Sequence, residues 1–295
     1  MDTCTLCPRM CGVNRAAGEK GYCGMDATIR AARAALHMWE EPCISGTRGS
    51  GAVFFSGCSL RCIFCQNFEI AEGNCAKEIS GERLSEIFLE LQEQGAANIN
   101  LVTAAHYVPA VIESLKKAKA QGMDLPVIYN SSGYERVETV QMLEEVVDVW
   151  LPDFKYMDSK LAFAYSRAKD YPEVARAAIR EMMKAAGTCA YDEDGYIQKG
   201  VIVRHLILPG HTKNSIAVLD ELYGTYGDDL TISLMNQYTP LPQVRNIPDL
   251  NRQVTKREYE KVLDHALDLG ITQGFFQEGG TAKESFIPLF DYEGL

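Results

Sequence analysis

Between residues 52 and 234, six short apolar runs alternate with stretches of helical periodicity, and this alternation limits the fold more than any other feature of the chain. The runs are Ala52–Phe55, Ile99–Val102, Pro126–Tyr129, Val147–Leu151, Val201–Leu208 and Leu230–Leu234. They have the length of buried strands rather than helices. Between them, Leu84, Ile87, Phe88 and Leu91 recur at i, i+3, i+4, i+7 behind a capping Ser80. Val108, Val111, Ile112 and Leu115 follow the same rule. So do the faces made by Val174, Ala178, Met182 and Ala186 and by Ile216, Leu219, Tyr223 and Tyr226. Strand–helix units joined by short loops build a parallel sheet with right-handed crossovers. Six units fall short of a closed eight-fold barrel, so the expected fold is α/β, a partial (β/α)6 TIM-like barrel.

Around this core the sequence predicts two appendages. Residues 1–50 form a Cys-rich module ending in the loop Ser45-Gly46-Thr47-Arg48-Gly49-Ser50-Gly51. Within it, residues 28–40 fit a helix or strands, with strands preferred. The barrel occupies 51–235. Residues 236–295 form a helical extension: a loop holding Pro240, Pro242 and Pro248, then a helix from Thr255, with Glu258 completing a capping box, to Gly270. The tail at 273–277 is read as one more strand. With 295 residues and 46% hydrophobic content, the chain can bury a large core. Its net charge of −11 excludes a nucleic-acid-binding surface. The lack of a long apolar run argues against a membrane span, and the absence of a charged, apolar start predicts a cytoplasmic protein.

Ten cysteines are many for such a chain, and seven fall into two tight groups. Close spacing in an intracellular chain points to metal binding rather than disulfides. Cys58, Cys62 and Cys65 stand at C-x3-C-x2-C directly after the first apolar run. Three thiolates can hold three irons of a 4Fe–4S cube and leave the fourth iron open. Clusters that only carry electrons are normally capped by protein at every iron. The open corner therefore predicts a catalyst, and an oxygen-sensitive one suited to anaerobic metabolism. Cys4, Cys7, Cys11 and Cys23 make a second group. Four soft ligands suit structural zinc or a second iron–sulfur cluster, and both readings stay open, as do four free thiols in a flexible tail. Cys43, Cys75 and Cys189 are read as buried or incidental.

The triad, with Phe64 beside its last cysteine, resembles the cluster motif of the radical S-adenosylmethionine (SAM) superfamily. The resemblance continues through residues 50 to about 240, at the end of one strand after another. Thr103-Ala104-Ala105 stands where the family has a Gly-Gly-Glu loop, without its carboxylate. Asn130-Ser131-Ser132-Gly133-Tyr134 is similar to the Asp-Thr-Asn-Gly-Phe segment of glycyl-radical activating enzymes. Asp153-Phe154-Lys155 resembles their Asp-Leu-Lys motif, and Arg204 with Pro209-Gly210 their arginine strand. Within the superfamily the chain is most similar to pyruvate formate-lyase activating enzymes, in their PflX-type branch. This last likeness rests on Cys7-Pro8-Arg9-Met10-Cys11-Gly12-Val13-Asn14-Arg15, Glu40-Glu41-Pro42 and Ser45-Gly46. AmmeMemoRadiSam proteins share a similar cysteine leader.

The resemblance implies that Cys58, Cys62 and Cys65 hold the cluster. SAM would lie against Phe64, Thr103, Asn130, Ser132, Asp153, Lys155, Arg204 and Asn236, with Gln237 an alternative to Asn236. A monovalent cation near Asn130 is put in doubt by the missing acidic residue. Arg204, charged within an apolar run, needs a buried partner: a cofactor carboxylate or Asp153. His205 should face the other side of the strand as a structural residue. The implied activity is reductive cleavage of SAM and hydrogen abstraction from a protein or peptide, with reduced flavodoxin or ferredoxin as donor. Two alternatives stand beside it: an iron–sulfur carrier or metal-dependent interaction protein with a dormant barrel, and a small-molecule maturase.

Overall fold

A computed structural model describes residues 3–277 and 288–295. Its strands are β1 (Arg30–His37), β2 (Ser50–Phe55), β3 (Lys77–Glu78), β4 (Ile99–Val102), β5 (Val127–Ser131), β6 (Val149–Pro152), β7 (Ala190–Tyr191), β8 (Ile197–Leu206), β9 (Thr231–Met235) and β10 (Gly274–Phe276). The α-helices are α1 (Pro42–Ser45), α2 (Phe68–Ala71), α3 (Gly81–Glu93), α4 (Val108–Ala120), α5 (Val137–Leu143), α6 (Ser159–Ser166), α7 (Tyr171–Ala186), α8 (Thr212–Tyr226) and α9 (Lys256–Leu269). The six expected strands are β2, β4, β5, β6, β8 and β9, side by side and parallel, and the tail strand adds as β10. Residues 30–37 resolve as one strand, antiparallel to β2. The sheet runs β10-β9-β8-β6-β5-β4-β2-β1-β3, an open path that makes a partial barrel.

The pleat sorts side chains between the two faces of the sheet. Val127, Tyr129, Trp150, Val201 and Val203 join the large core that includes helix residues such as Leu84, Val111 and Ile179. Their neighbours Ile128, Val149, Leu151 and Ile202 belong to a second cluster with Cys43 and Ile44 of α1. This short helix thus plugs the bore of the barrel. The Asn98 amide holds it by donating to the Ile44 carbonyl (2.8 Å), and the Ser50 hydroxyl donates to Asn98 Oδ1 (2.6 Å). Ile44 is completely buried, worth about 1.5–3 kcal/mol for such a side chain. The residues just before the plug, Glu40 and Glu41, are carried into the bore with it.

At the other end of the chain α9 begins in a full capping box between Thr255 and Glu258. The Glu258 carboxylate also accepts from Arg252 (2.7 and 2.8 Å) and from the Gly210 N–H (2.7 Å), tying the helix to the loop after β8. Arg252, with the Thr255 and Gly210 N–H groups, holds this carboxyl below the usual glutamate range. A lowered acid stabilises the fold above its unfolded pKa and loses that contribution as pH falls through the folded one. Glu258→Gln should cost about 2 kcal/mol at pH 7 and progressively less below about pH 4. Urea unfolding at the two pH values checks this; an equal difference at both would refute the electrostatic assignment.

Candidate functional site

The triad lies in the loop after β2, whose six residues are all buried. The chain turns there at Gly57, with φ +90°; a Cβ would sit 2.5 Å from Met25 Cγ and 2.9 Å from the Cys23 carbonyl oxygen, so only glycine fits. The backbone then wraps the first sulfur. Leu60 and Arg61 N–H groups donate to Cys58 Sγ at 3.4 and 3.5 Å. The Cys65 N–H bonds the Cys62 carbonyl (3.1 Å), and the Asn67 N–H faces the Cys65 sulfur. The Ser166 hydroxyl at the end of α6 donates to Cys62 Sγ (3.0 Å).

Burial pushes the Cys62 and Cys65 thiols above their ordinary range. Lys155 works in the opposite direction on both. Burial alone would weaken its ammonium, but Asp153 and Cys62 raise its pKa above the usual lysine value. Three thiols, donors aimed at each sulfur and one cation fit an iron–sulfur cluster, whose irons draw off the thiol protons. Among the described residues no three His, Cys, Asp or Glu side chains surround one point as a single ion demands. A four-iron cube spreads its ligands over separate corners.

Beneath this loop the bore is polar. The Arg204 guanidinium bonds both carboxylates that enter with α1: its Nε donates to Glu41 Oε1 (2.8 Å) and one Nη to Glu41 Oε2 (2.5 Å) and to Glu40. Asn100 and Asn130 donate to Glu40 Oε1 at 3.0 and 3.3 Å. Burial opposes the charge on Glu41, but Arg204 prevails and holds its carboxyl below the usual range. The direct partners of Arg204 are therefore Glu40 and Glu41, not Asp153, which pairs with Lys155. Sequence reasoning named Glu40 and Glu41 only as part of a signature. The signal was present: an arginine inside an apolar strand requires a carboxylate, and this is the adjacent acidic pair. Together Glu40, Glu41 and Asp153 outnumber Arg204 and Lys155, leaving a surplus negative charge.

The remaining expected residues spread around the rim. The Asn236 N–H donates to Gln277 Oε1 (2.9 Å), while its own buried Oδ1 has no partner among the described residues, free for an incoming donor. Gln237 meets the cluster loop, its carbonyl accepting from Gln66 (3.0 Å). Ser132 takes part through its carbonyl, which accepts from the Tyr171 hydroxyl (2.8 Å). Phe64 is buried among Tyr156, Tyr165 and Tyr238, with ring centroids 6.3–6.5 Å away. His205 faces away from the bore, between the Phe154 carbonyl (2.7 Å) and the Ser215 hydroxyl (2.9 Å), and burial lowers it to about 4. Of the leader cysteines, Cys4, Cys7 and Cys23 are buried and Cys11 is exposed. A cavity of about 320 Å³ lies elsewhere, lined by Ile29, Ile79, Glu82, Ser114 and Lys117.

Thr103 follows β4 with φ +62°, a left-handed conformation that a β-branched residue avoids. It persists because its N–H is fixed on the Asn130 carbonyl (2.9 Å). Thr103→Gly should raise stability by about 1 kcal/mol, since the left-handed region costs an ordinary residue about that much. Chemical denaturation measures it; unchanged or lower stability would show that no strain is stored there.

Known proteins place this geometry. The family model described as the Radical SAM superfamily matches residues 52–222, more than half the chain. A relative from Methanocaldococcus jannaschii, described as "Uncharacterized protein MJ0674", is 28% identical over 270 residues, covering 89% of this chain and 74% of its own. Among solved structures, HydG, a maturase of the [FeFe]-hydrogenase, superposes with a TM-score of 0.54 at 14% identity, over 80% of this chain and 54% of HydG. Streptococcus suis SuiB bound to S-adenosylmethionine gives 0.49 at 13% identity, over 75% of this chain and 48% of SuiB. The chain thus spans about half the length of those two, and the HydG likeness, at 14% identity, concerns the fold. No helix among the described residues is long and apolar enough to cross a membrane. The open parallel barrel, the three-cysteine loop at its mouth and the family match lead to one conclusion: the chain belongs to the radical SAM superfamily, whose members work with a 4Fe–4S cluster and S-adenosylmethionine.

Proposed function

We propose that this protein is an enzyme that abstracts hydrogen from a protein or peptide, in its finer form an activase of a glycyl-radical enzyme. The observation that carries the reading is the triad: three thiolates on one loop leave an iron for SAM. When bound, cluster and SAM together supply a 5′-deoxyadenosyl radical after one-electron reduction. The chain supplies position and exclusion of water. Cys58, Cys62 and Cys65 would hold the cluster, and donors on their sulfurs keep the thiolates stable. Asn236 Oδ1 offers an unfilled acceptor, and Thr103 a hydroxyl on a fixed turn. Lys155 is held as a cation beside Cys62 and Cys65, where it offsets thiolate charge. The α1 plug and the Glu40–Glu41–Arg204 cluster close the bore from within, so a substrate enters from the rim. A flexible glycyl segment of a protein suits that approach.

The electron donor in this reading is reduced flavodoxin or ferredoxin. The test mixes anaerobically reconstituted, reduced protein and SAM with a candidate glycyl-radical enzyme and records the EPR spectrum. A glycyl-radical doublet is the expected result. Turnover of a small metabolite with no radical or modified residue on any protein would favour the maturase alternative instead. A dormant barrel acting as an iron–sulfur carrier has one observation in its favour, the missing carboxylate at Thr103-Ala104-Ala105. It predicts a cluster that forms without SAM turnover.

A further inference from the structure

The leader shares turn features with the cluster loop, though the Arg61 N–H donates to Cys58 Sγ where the Met10 N–H donates to the Cys7 carbonyl (3.0 Å). Cys7-Pro8-Arg9-Met10-Cys11 and Cys58-Ser59-Leu60-Arg61-Cys62 share the C-x3-C spacing. In each, the residue before the second cysteine is left-handed: Met10 at φ 40° and Arg61 at φ 52°. Neither is glycine, so both turns run against backbone preference and are held by their surroundings. In each, the N–H two residues after the first cysteine faces its sulfur: Arg9 for Cys7 and Leu60 for Cys58. Cys23 Sγ lies 3.9 Å from the Met25 carbonyl oxygen, while the Asn67 N–H stands to Cys65 Sγ as that of Leu60 does to Cys58 Sγ. Hydrogen bonds of this kind are strong when the acceptor carries charge, as a metal-bound thiolate does.

The leader cysteines lie near enough to act on one another's charge, Cys4 and Cys23 on Cys7, and Cys4 and Cys11 on Cys23. Cys4 and Val13 join in a ladder, Cys4 N–H to Val13 carbonyl (3.0 Å) and Gly12 N–H to Cys4 carbonyl (3.0 Å). A side chain at Gly21 would stand 2.9 Å from Cys11 Sγ and 3.7 Å from Cys23 Sγ, so these sulfurs flank a position kept empty by glycine. They do not converge on one single-ion point, and neither do those of the triad.

The leader is docked on the cluster loop itself. Arg9 Nε donates to the Ser59 carbonyl (2.9 Å), next to Cys58. Its two other nitrogens bond the carbonyls of Arg167 (2.6 Å) and Ser166 (2.8 Å), and the Ser166 hydroxyl donates to Cys62 Sγ. Its guanidinium stacks 4.0 Å over the ring of Tyr22, whose carbonyl accepts from Arg61 (3.4 Å). The Cys23 carbonyl rests on Gly57. Cys11, in contrast, is exposed to solvent.

We propose that Cys4, Cys7, Cys11 and Cys23 hold a second, fully ligated 4Fe–4S cluster that relays single electrons to the cluster of Cys58, Cys62 and Cys65. A cube capped at every iron is the form suited to electron transfer. An external low-potential flavin or iron–sulfur donor loses one electron to it near exposed Cys11. The leader cluster is reduced by one electron, then returns to its oxidised state as the triad's cluster gains that electron; no bond forms or breaks. Arg9, two residues from Cys7 and bonded beside Cys58, joins the two loops. The relay rests on the function proposed above for its acceptor.

The test counts metals in the full chain after anaerobic reconstitution, in the wild type, in Cys58→Ala/Cys62→Ala/Cys65→Ala, and in Cys4→Ser/Cys7→Ser/Cys11→Ser/Cys23→Ser. About eight irons per chain are expected in the wild type and about four in each variant. The exposed single variant Cys11→Ser, which leaves the buried thiols in place, keeps the comparison informative if the fourfold variant fails to fold; it should perturb the leader's EPR signal alone. In both leader variants reduced flavodoxin should no longer reduce the triad's cluster at the wild-type rate, while dithionite still does. Stoichiometric zinc, or four irons in the wild type that survive leader substitution, overturns the second cluster. Equal reduction by flavodoxin with and without it overturns the relay. Failure of the triad to bind iron while the leader does would instead sink the function proposed above and leave the leader cluster standing.

Discussion

Cys62→Ala should abolish 5′-deoxyadenosine formation while leaving the chain folded. Two thiols cannot retain a site-differentiated cube, so the expected loss is total, beyond about 10³-fold. The structural cost is small. Cys62 is partly exposed, and the Ser166 hydroxyl that donates to its sulfur keeps a bond to Tyr156 (2.8 Å). Circular dichroism should therefore match the wild type, whereas iron and the charge-transfer absorption at the triad disappear. Retained SAM cleavage in this variant would mean that the catalytic cluster is held elsewhere.

Arg204→Met is the second large effect, and it acts on the fold. In the native protein the guanidinium neutralises two carboxylates in the bore, with 12% of its side chain exposed and 8% and 6% of theirs. Removing it leaves Glu40 and Glu41 buried side by side without a counter-charge. Breaking a buried pair in this way costs about 3–5 kcal/mol at pH 7. The pH dependence reverses as well. In the wild type the Glu41 carboxyl is lowered, so its contribution is present above the unfolded glutamate value of about 4.5 and lost as pH falls. In the variant the pair resists ionisation, its folded pKa values rise, and stability falls as pH rises above about 4.5. Adding Glu40→Gln and Glu41→Gln should recover most of the loss. Thermal unfolding at pH 5 and pH 7 decides; a loss below about 1 kcal/mol, the size expected of an exposed pair, would show that the bore is solvated.

Much of the architecture could be read because buried parallel strands are locally encoded. Val201–Leu208 or Ile99–Val102 can hardly be anything else once flanked by amphipathic helices. The cluster loop was legible for a chemical reason: thiol spacing carries its own meaning. The bore was harder, since Glu40 and Glu41 reach Arg204 from more than 160 positions away in sequence. Their pairing depends on α1 turning into the barrel, and Pro42-Cys43-Ile44-Ser45 has no periodicity to announce a plug. Phe64 illustrates a different limit. Its aromatic type was readable, but its three tyrosine neighbours, Tyr156, Tyr165 and Tyr238, come from separate loops and helices. Likewise Arg9 enters the sequence reading only within the leader signature; its link to Ser59 and Ser166 exists only after the leader folds back across the loop following β2.

A cube held by Cys58, Cys62 and Cys65 would leave one corner open to SAM. Anaerobic reconstitution, reduction with dithionite and addition of SAM, followed by chromatographic detection of 5′-deoxyadenosine, tests it most directly. 5′-Deoxyadenosine is expected in the wild type and none in Cys62→Ala. A fully formed cluster at the triad that yields no 5′-deoxyadenosine, with an EPR spectrum indifferent to SAM, would contradict it.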